Sequence, residues 1–432
     1  MYNVVKLNNG LKIALEEIDY VNSVSVGLWV KNGSRNENRE NNGISHFIEH
    51  MLFKGTYNRN SKEIAECIED VGGQINAFTG KEATCYYVKI LDSHLELALD
   101  VLSDMLFNSK FSDEDIEKEK GVIIEEINMS EDSPEDVLMD VHSKAIWGEE
   151  SIALPILGTE DTITSFDRQH IIDYVYSHYI PENCVLSIAG KFSIDKIVNL
   201  IEKYFGNWHI THKEITNYTK PQILDNHLFK KKSIEQLHMS LGLYGVELGS
   251  EDVYSLLLLN NILGGGASSI LFQKIREEKG RCYSIYSYLS SFNNTGVVSI
   301  YTGLNSKYAI EVIQLIQDEL IKFSKSNISY ERILKGKEQL KGNYILGLES
   351  TSSRMFSNGR SVLFLNRINK PEDTIKKIDN INEEKIKKAM DNTFKKGIIN
   401  SAYVGEQIDL NLVKILMEKH TVPFNNSKTT LI

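Results

Sequence analysis

Hydrophobic and polar positions along this chain alternate with two different periods. Leu95, Ala98, Leu99, Leu102 and Leu106 recur at helical spacing, which predicts a helix from about Ser93 to Phe107 with one apolar face. The run Cys85–Leu91 before it reads as a strand, and the order returns later. Val297–Thr302 reads as a strand and about Lys307 to Phe323 as a helix. Ser25–Val30 resembles Ser240–Tyr244, each a strand leading toward a helix. Phe111 to Glu126 likewise parallels Ile328 to Asn343. The chain therefore contains itself twice. Between the copies, from about His209 to Lys232, the sequence turns polar and loses its period, as a linker does. The expected division is 1–210, a linker 211–232, and 233–432.

A second helical pattern carries chemistry. In Gly43-Ile44-Ser45-His46-Phe47-Ile48-Glu49-His50, four-residue spacing stacks His46 and His50 on one helix face, where two imidazoles can share a metal ion. Glu49 lies beside them as a candidate base. The order H-x-x-E-H inverts the commoner H-E-x-x-H. A half-buried helix that happens to hold two histidines is the plainer reading, and a third ligand decides between them.

That ligand is sought in Ser112 to Ile127. Ser112 is a candidate N-cap, the first turn is acidic, and Ile116, Ile123 and Ile127 form the apolar stripe. Glu119 and Glu126 border the stripe, whereas Glu125 points away. A carboxylate at a core margin needs a partner. Solvation accounts for most glutamates in this run; Glu126, with Glu119 behind it, is read as a metal ligand. By the repeat register, Leu256, Asn260 and Asn343 occupy the places of His46, His50 and Glu126. The second copy thus lacks this ligand set.

Composition narrows the class. With 432 residues and net charge -11, the chain has room for two domains and gives no reason to expect nucleic acid; basic peptides suit it better than acidic ones. No apolar run reaches membrane-spanning length, and the first residues lack a basic segment followed by an apolar one. Cys67, Cys85, Cys184 and Cys282 show no C-x-x-C spacing, so a cytoplasmic protein is expected. Gly264-Gly265-Gly266 lacks the lysine and threonine of a phosphate loop. His209-x-x-His212 and Lys230-Lys231-Lys232 read as solvated chain.

The strings GISHFIEHMLFKGT, GGQINAFTGKEATCYY, KEKGVIIEEINMSEDSPEDV and LNNILGGGASSILFQKIREEKG make the chain resemble the M16 metallopeptidases over nearly its whole length. The resemblance is nearest to the bacterial relatives of the mitochondrial processing peptidase beta subunit. It implies an α+β fold of two homologous domains, each a mostly antiparallel sheet covered by helices on one face, opposed as a clamshell. It implies one Zn²⁺ per chain on His46, His50 and Glu126, with Glu49 as base and Glu119 supporting a ligand histidine. Arg276 and Tyr283 keep the family's spacing for a pair that reaches the active site; from spacing alone they read as a surface arginine and a core tyrosine. Ile270 and Arg281-Cys282 depart from the usual residues there.

A peptide or extended protein substrate is expected along Gln74–Thr79, at Asn76, Ala77 and Phe78, by strand addition. Asp136 and Asp140 fall where processing-peptidase relatives hold an arginine near the cleaved bond, although composition alone favours a solvated helix start. The resemblance also implies a homodimer. The alternative to an active endopeptidase is a non-catalytic or partner-dependent subunit of a heterodimer; such relatives usually lack part of the motif, which is complete here.

Overall fold

The computed structural model describes residues 1–208 and 214–420; His209 and His212, with the first part of the expected linker, lie outside them. The strands are β1 (Tyr2–Lys6), β2 (Lys12–Glu17), β3 (Ser23–Val30), β4 (Gln74–Thr79), β5 (Thr84–Leu91), β6 (Cys184–Gly190), β7 (His227–Lys231), β8 (Gln236–Tyr244), β9 (Ser284–Phe292), β10 (Thr295–Asn305) and β11 (Asn400–Gly405). The helices that hold the site or cover the sheets are α1 (Ile44–Leu52), α2 (Leu95–Asn108), α3 (Asp113–Asp132), α4 (Pro134–Trp147), α5 (Val253–Gly264), α6 (Ala309–Lys325), α7 (Tyr330–Gly347) and α8 (Thr351–Leu365). The repeat is visible in this order: β5 leads into α2, α3 and α4 as β10 leads into α6, α7 and α8.

The first compact unit comprises Met1–Asp132, Glu149–Pro221 and Lys341–Lys377. Its six-stranded sheet runs β1-β2-β6-β3-β5-β4, antiparallel except for the β2–β6 pair. Along β3, Val24, Val26, Leu28 and Val30 enter a core with Phe47, Ile48 and Met51 of α1 and Ala98, Leu99 and Leu102 of α2. The alternate residues face the other way, and they are buried as well. There Trp29, Cys85 and Val185 pack against Val362 and Leu363 of α8. Close approach is possible because two positions lack a Cβ. One at Gly27 would sit 2.2 Å from Met355 Sδ, and one at Gly359 2.1 Å from Trp29 Nε1. Glu16, buried beneath α8, accepts from the Arg354 guanidinium and, at 2.7 Å, from Asn358 Nδ2.

The second unit takes the described residues of Ser133–Gly148, Gln222–Leu340 and Ile378–Ile432. Its five strands run β7-β11-β8-β10-β9, with β7–β11 the one parallel pair. Leu241, Ile300, Leu256 and Leu259 of α5, and Ile313 and Ile316 of α6 share the main core. On the opposite face Val137 and Leu138 of α4 meet Tyr301, Ala402 and Val404. His142 of α4 is pinned there, with Nδ1 2.8 Å from Ser240 Oγ and Nε2 3.2 Å from Asn400 Oδ1.

Both units are α+β with mostly antiparallel sheets, as expected. Helices cover both faces of each sheet, however, rather than one. The added cover, α8 in the first unit and α4 in the second, comes from equivalent places in the repeat and from the other half of the sequence. The compact units are for that reason discontinuous, unlike the continuous segments expected at 1–210 and 233–432.

Candidate metal centre

Helix α1 begins at Gly43, whose φ of 94° suits glycine; a Cβ there would also lie 2.8 Å from Leu157 O and Gly158 Cα. No N-cap side chain is available from glycine. Instead the buried carboxylate of Glu37 accepts from the amides of Gly43 at 2.7 Å and Ser45 at 2.8 Å, and from Asn42 Nδ2 at 2.9 Å. This anchors the positive end of the helix. Phe47, Ile48, Met51 and Leu52 then bury one side of α1, which turns His46, Glu49 and His50 toward α3 and β4. Helix α3 starts as expected, with Ser112 Oγ accepting from the Asp115 amide at 3.2 Å. Glu119 is buried between Ile116 and Ile123, Glu126 is half-buried and Glu125 is exposed.

The structure brings His46, His50 and Glu126 together. Glu126 Oε2 lies 3.6 Å from His46 Nε2 and 3.5 Å from His50 Nε2. These separations exceed a good N–H···O bond, about 2.7–3.2 Å. They match ligand atoms on one tetrahedral ion: bonds of about 2.0–2.2 Å place neighbouring donors roughly 3.3–3.6 Å apart. Among the described residues, this is the one group of three such side chains with ligand atoms converging within 4.8 Å. Two imidazoles and a carboxylate are also the donor set suited to zinc.

The surrounding charges are arranged in layers. Glu119 Oε1 lies 2.8 Å from His50 Nδ1, leaving His50 Nε2 for the site, and Glu119 Oε2 lies 2.5 Å from Lys54 Nζ. Burial opposes charge on Glu119, but its hydrogen bonds to His50 and Lys54 prevail and hold its carboxyl below the usual range. Burial and then the neighbouring His50 push His46 down to about 4, so it is a neutral imidazole with a free lone pair at ordinary pH. For His50 burial is outweighed by the Glu119 hydrogen bond and the surrounding carboxylates, which raise it. Glu49 stands next to the candidate ligands without joining them. Its Oε2 accepts from Thr79 Oγ1 at 2.5 Å, and burial raises its carboxyl above the ordinary value.

Thr79 and Lys54 are absent from the sequence-derived site. Both had a signal. Thr79 shares the period-2 face of Ile75 and Ala77, which pack toward α1, and Lys54 continues the four-residue spacing of His46 and His50. Asn76, Ala77 and Phe78 lie in β4, which among the described residues pairs only with β5 and forms the sheet edge. Phe78 rests edge-on against Trp29 and Phe356, with centroids 5.6 and 5.7 Å apart.

Arg276 and Tyr283 belong to the second unit. The segment Phe272–Glu277 is π-helical, and the Arg276 guanidinium lies 4.5 Å from the Phe272 ring and 5.8 Å from that of Tyr283. Tyr283 is 74 % exposed, which corrects the core placement that spacing alone suggested. Asp136 and Asp140 are exposed on α4. In the second copy Leu256 is buried, and Asn260 donates to Ser287 O at 3.1 Å.

Comparison with known proteins agrees with this geometry. The profile described as Insulinase (Peptidase family M16) matches residues 12–160, and that described as Peptidase M16 inactive domain matches residues 165–340. The chain is 44 % identical over 378 residues to the uncharacterised zinc protease YmxG of Bacillus subtilis, covering 88 % of this chain and 92 % of that one. It is 36 % identical over 384 residues to an uncharacterised zinc protease of Mycobacterium leprae, covering 88 % and 86 %. In fold it resembles the crystal structure of a protease from Helicobacter pylori, with TM-score 0.86 at 21 % identity over 94 % of this chain and 99 % of that one.

Proposed function

The chain belongs to the M16 peptidase family, and from that premise we propose that it is a zinc-dependent endopeptidase acting on extended peptides. The observation that carries the reading is the approach of two imidazole Nε2 atoms to one Glu126 oxygen at tetrahedral-edge distances. His46, His50 and Glu126 would hold one Zn²⁺ per chain. When bound, zinc supplies Lewis acidity, lowering the pKa of a coordinated water to about 7 and polarising a carbonyl.

The side chains around it divide the remaining work. Glu49 takes the proton of the attacking water and returns it to the departing amine. Thr79 occupies one oxygen of that carboxylate and leaves the other for transfer. Glu119 fixes the His50 ring through Nδ1. The open edge of β4 supports strand addition by the substrate at Asn76, Ala77 and Phe78, a mode that recognises backbone more than side chains. For Arg276 and Tyr283 we propose the role of donors to the substrate carbonyl as it gains charge, supported by the exposed phenol and the adjacent guanidinium. Asp136 and Asp140 suit a basic side chain near the cleaved bond. We also carry over a homodimer from the family resemblance, and a reducing compartment, supported by four cysteines that are all unpaired.

Metal analysis and a fluorogenic peptide library, with light scattering for mass, test these statements together. Glu49→Gln should retain zinc and lose about 10²- to 10⁴-fold in turnover, whereas His50→Ala should lose both. Wild type should cut best near arginine or lysine, and light scattering should give twice the chain mass. Near-normal cleavage by Glu49→Gln would sink the mechanism. A library without basic preference, or a monomeric active enzyme, would remove only the corresponding part.

A further inference from the structure

We propose that Lys54 is a positioning residue of the metal centre: it fixes Glu119, which in turn fixes His50. The inference rests on the zinc reading above. Glu119 is 2 % exposed, and both of its oxygens are committed, one to His50 Nδ1 at 2.8 Å and the other to Lys54 Nζ at 2.5 Å. A carboxylate this deep needs a compensating cation. His50 does not supply it in the metal-holding state. A histidine that offers Nε2 to a metal is neutral and keeps its one proton on Nδ1. That N–H directs a hydrogen bond to Glu119 without cancelling its charge. The ion pairs of Glu119 among the described residues are with His50 and Lys54, so the standing countercharge is the lysine.

The placement of Lys54 suits this task. It follows the end of α1, where the Phe53 amide bonds His50 O and the Lys54 amide bonds Met51 O, both at 3.1 Å. The backbone that carries the lysine is therefore tied to the turn containing His50. A cation at this helix end is also favourable to the dipole. From there the ammonium reaches α3, and two anchors on opposite oxygens set the plane of the Glu119 carboxylate. Removing one anchor leaves the carboxylate free to turn and lets the His50 ring turn with it. His46 and His50 thus lie on successive turns of α1, and the support of one of them follows just past its end.

The test is zinc affinity, measured by competition with a chelator on purified protein, with thermal unfolding of each zinc-free form alongside. Lys54→Met is expected to weaken zinc binding about 10- to 100-fold, the scale of losing a support beyond the ligands. Lys54→Arg should recover most of it. In a Glu119→Gln background, Lys54→Met should add almost nothing, because the lysine acts through that carboxylate. Wild-type affinity in Lys54→Met would overturn the role. So would an equal loss with and without the Glu119 carboxylate, which would mean that Lys54 acts by a route other than that carboxylate. If Lys54→Met does not fold, Lys54→Gln enters the same cycle with the same two outcomes. Wild-type protein that takes up no zinc would overturn the metal reading itself, and the role of Lys54 with it.

Discussion

At the scale of single residues, the two carboxylates beside the candidate ligands, Glu49 and Glu119, are held by hydrogen bonds from neighbouring side chains. Glu49 is held by Thr79. The threonine gives its one proton to the carboxylate, and its oxygen lies 3.2 Å from Thr84 Oγ1, whose own hydroxyl donates to Asn32 O at 3.0 Å. Removing a hydrogen bond to a charged group costs about 1.5–3 kcal/mol. We therefore predict that Thr79→Val lowers kcat about 10- to 100-fold while zinc content and KM stay near wild type, and that Thr79→Ser restores the rate. Steady-state kinetics check this directly. A valine variant with normal kcat and a raised KM would make Thr79 a residue of the strand edge and not a support of the base.

The candidate ligands were legible because the pattern within each helix is local, although the meeting of the two helices is not. Four-residue spacing puts two histidines on one face of any helix that forms, and the stripe Ile116, Ile123 in α3 places Glu119 and Glu126 along its margin. Thr79 and Lys54 were not legible as partners. Their contacts join elements far apart in sequence, and nothing in the period of β4 or α1 names the carboxylate on the other side.

At the scale of elements, the helices that close the second face of each sheet carry consequences for stability. His142 anchors α4 to β8 and β11. Full burial pushes it from 6.5 down to about 4, with the Asn400 hydrogen bond opposing. The folded pKa is thus depressed: below 6.5 the unfolded chain takes up a proton that the folded chain refuses. The contribution is complete above about pH 6.5, declines as pH falls, and is fully lost near pH 4. The span corresponds to about 3 kcal/mol. Urea titrations of the zinc-free protein between pH 7 and 4 should show this loss, and His142→Gln, less stable at pH 7, should show a shallower one. Identical slopes in the two proteins would show that another group carries the acid sensitivity. Of the strands around His142, the sequence showed Ser240–Tyr244 through its likeness to Ser25–Val30 and did not show β11; the start of the helix was readable from its acids. Its burial was not, because it depends on Ser240 and Asn400, one on β8 and the other on β11.

At the scale of the whole molecule, the first unit is incomplete without a segment from late in the chain. A fragment ending at 210 would leave Trp29, Cys85 and Val185 without α8, and the buried Glu16 without Arg354 and Asn358. An exposed apolar sheet face and an unpaired buried carboxylate are both costly. We predict that this fragment aggregates or binds a hydrophobic dye, and that fusing residues 341–377 to it lowers both the dye signal and the aggregated fraction on size-exclusion chromatography. A well-folded, dye-free fragment 1–210 would show that α8 is dispensable to the sheet it covers.

The sequence by itself determined the chemistry-bearing pattern: two histidines a turn apart, the glutamate beside them, the carboxylates edging an apolar stripe, and a duplicated order of strands and helices. Those follow from periods of two and 3.6 residues, which any stretch of chain expresses locally. The sheet edge at β4, the burial of both sheet faces and the placement of α4 and α8 were decided only in three dimensions. A glycine such as Gly27 or Gly359 has no preferred partner in the sequence. It becomes a contact surface when a sulfur or an indole arrives from a distant segment. The same holds for the charges around the ligands, where Lys54 and Thr79 acquire their roles from carboxylates that folding brings within 2.5 Å.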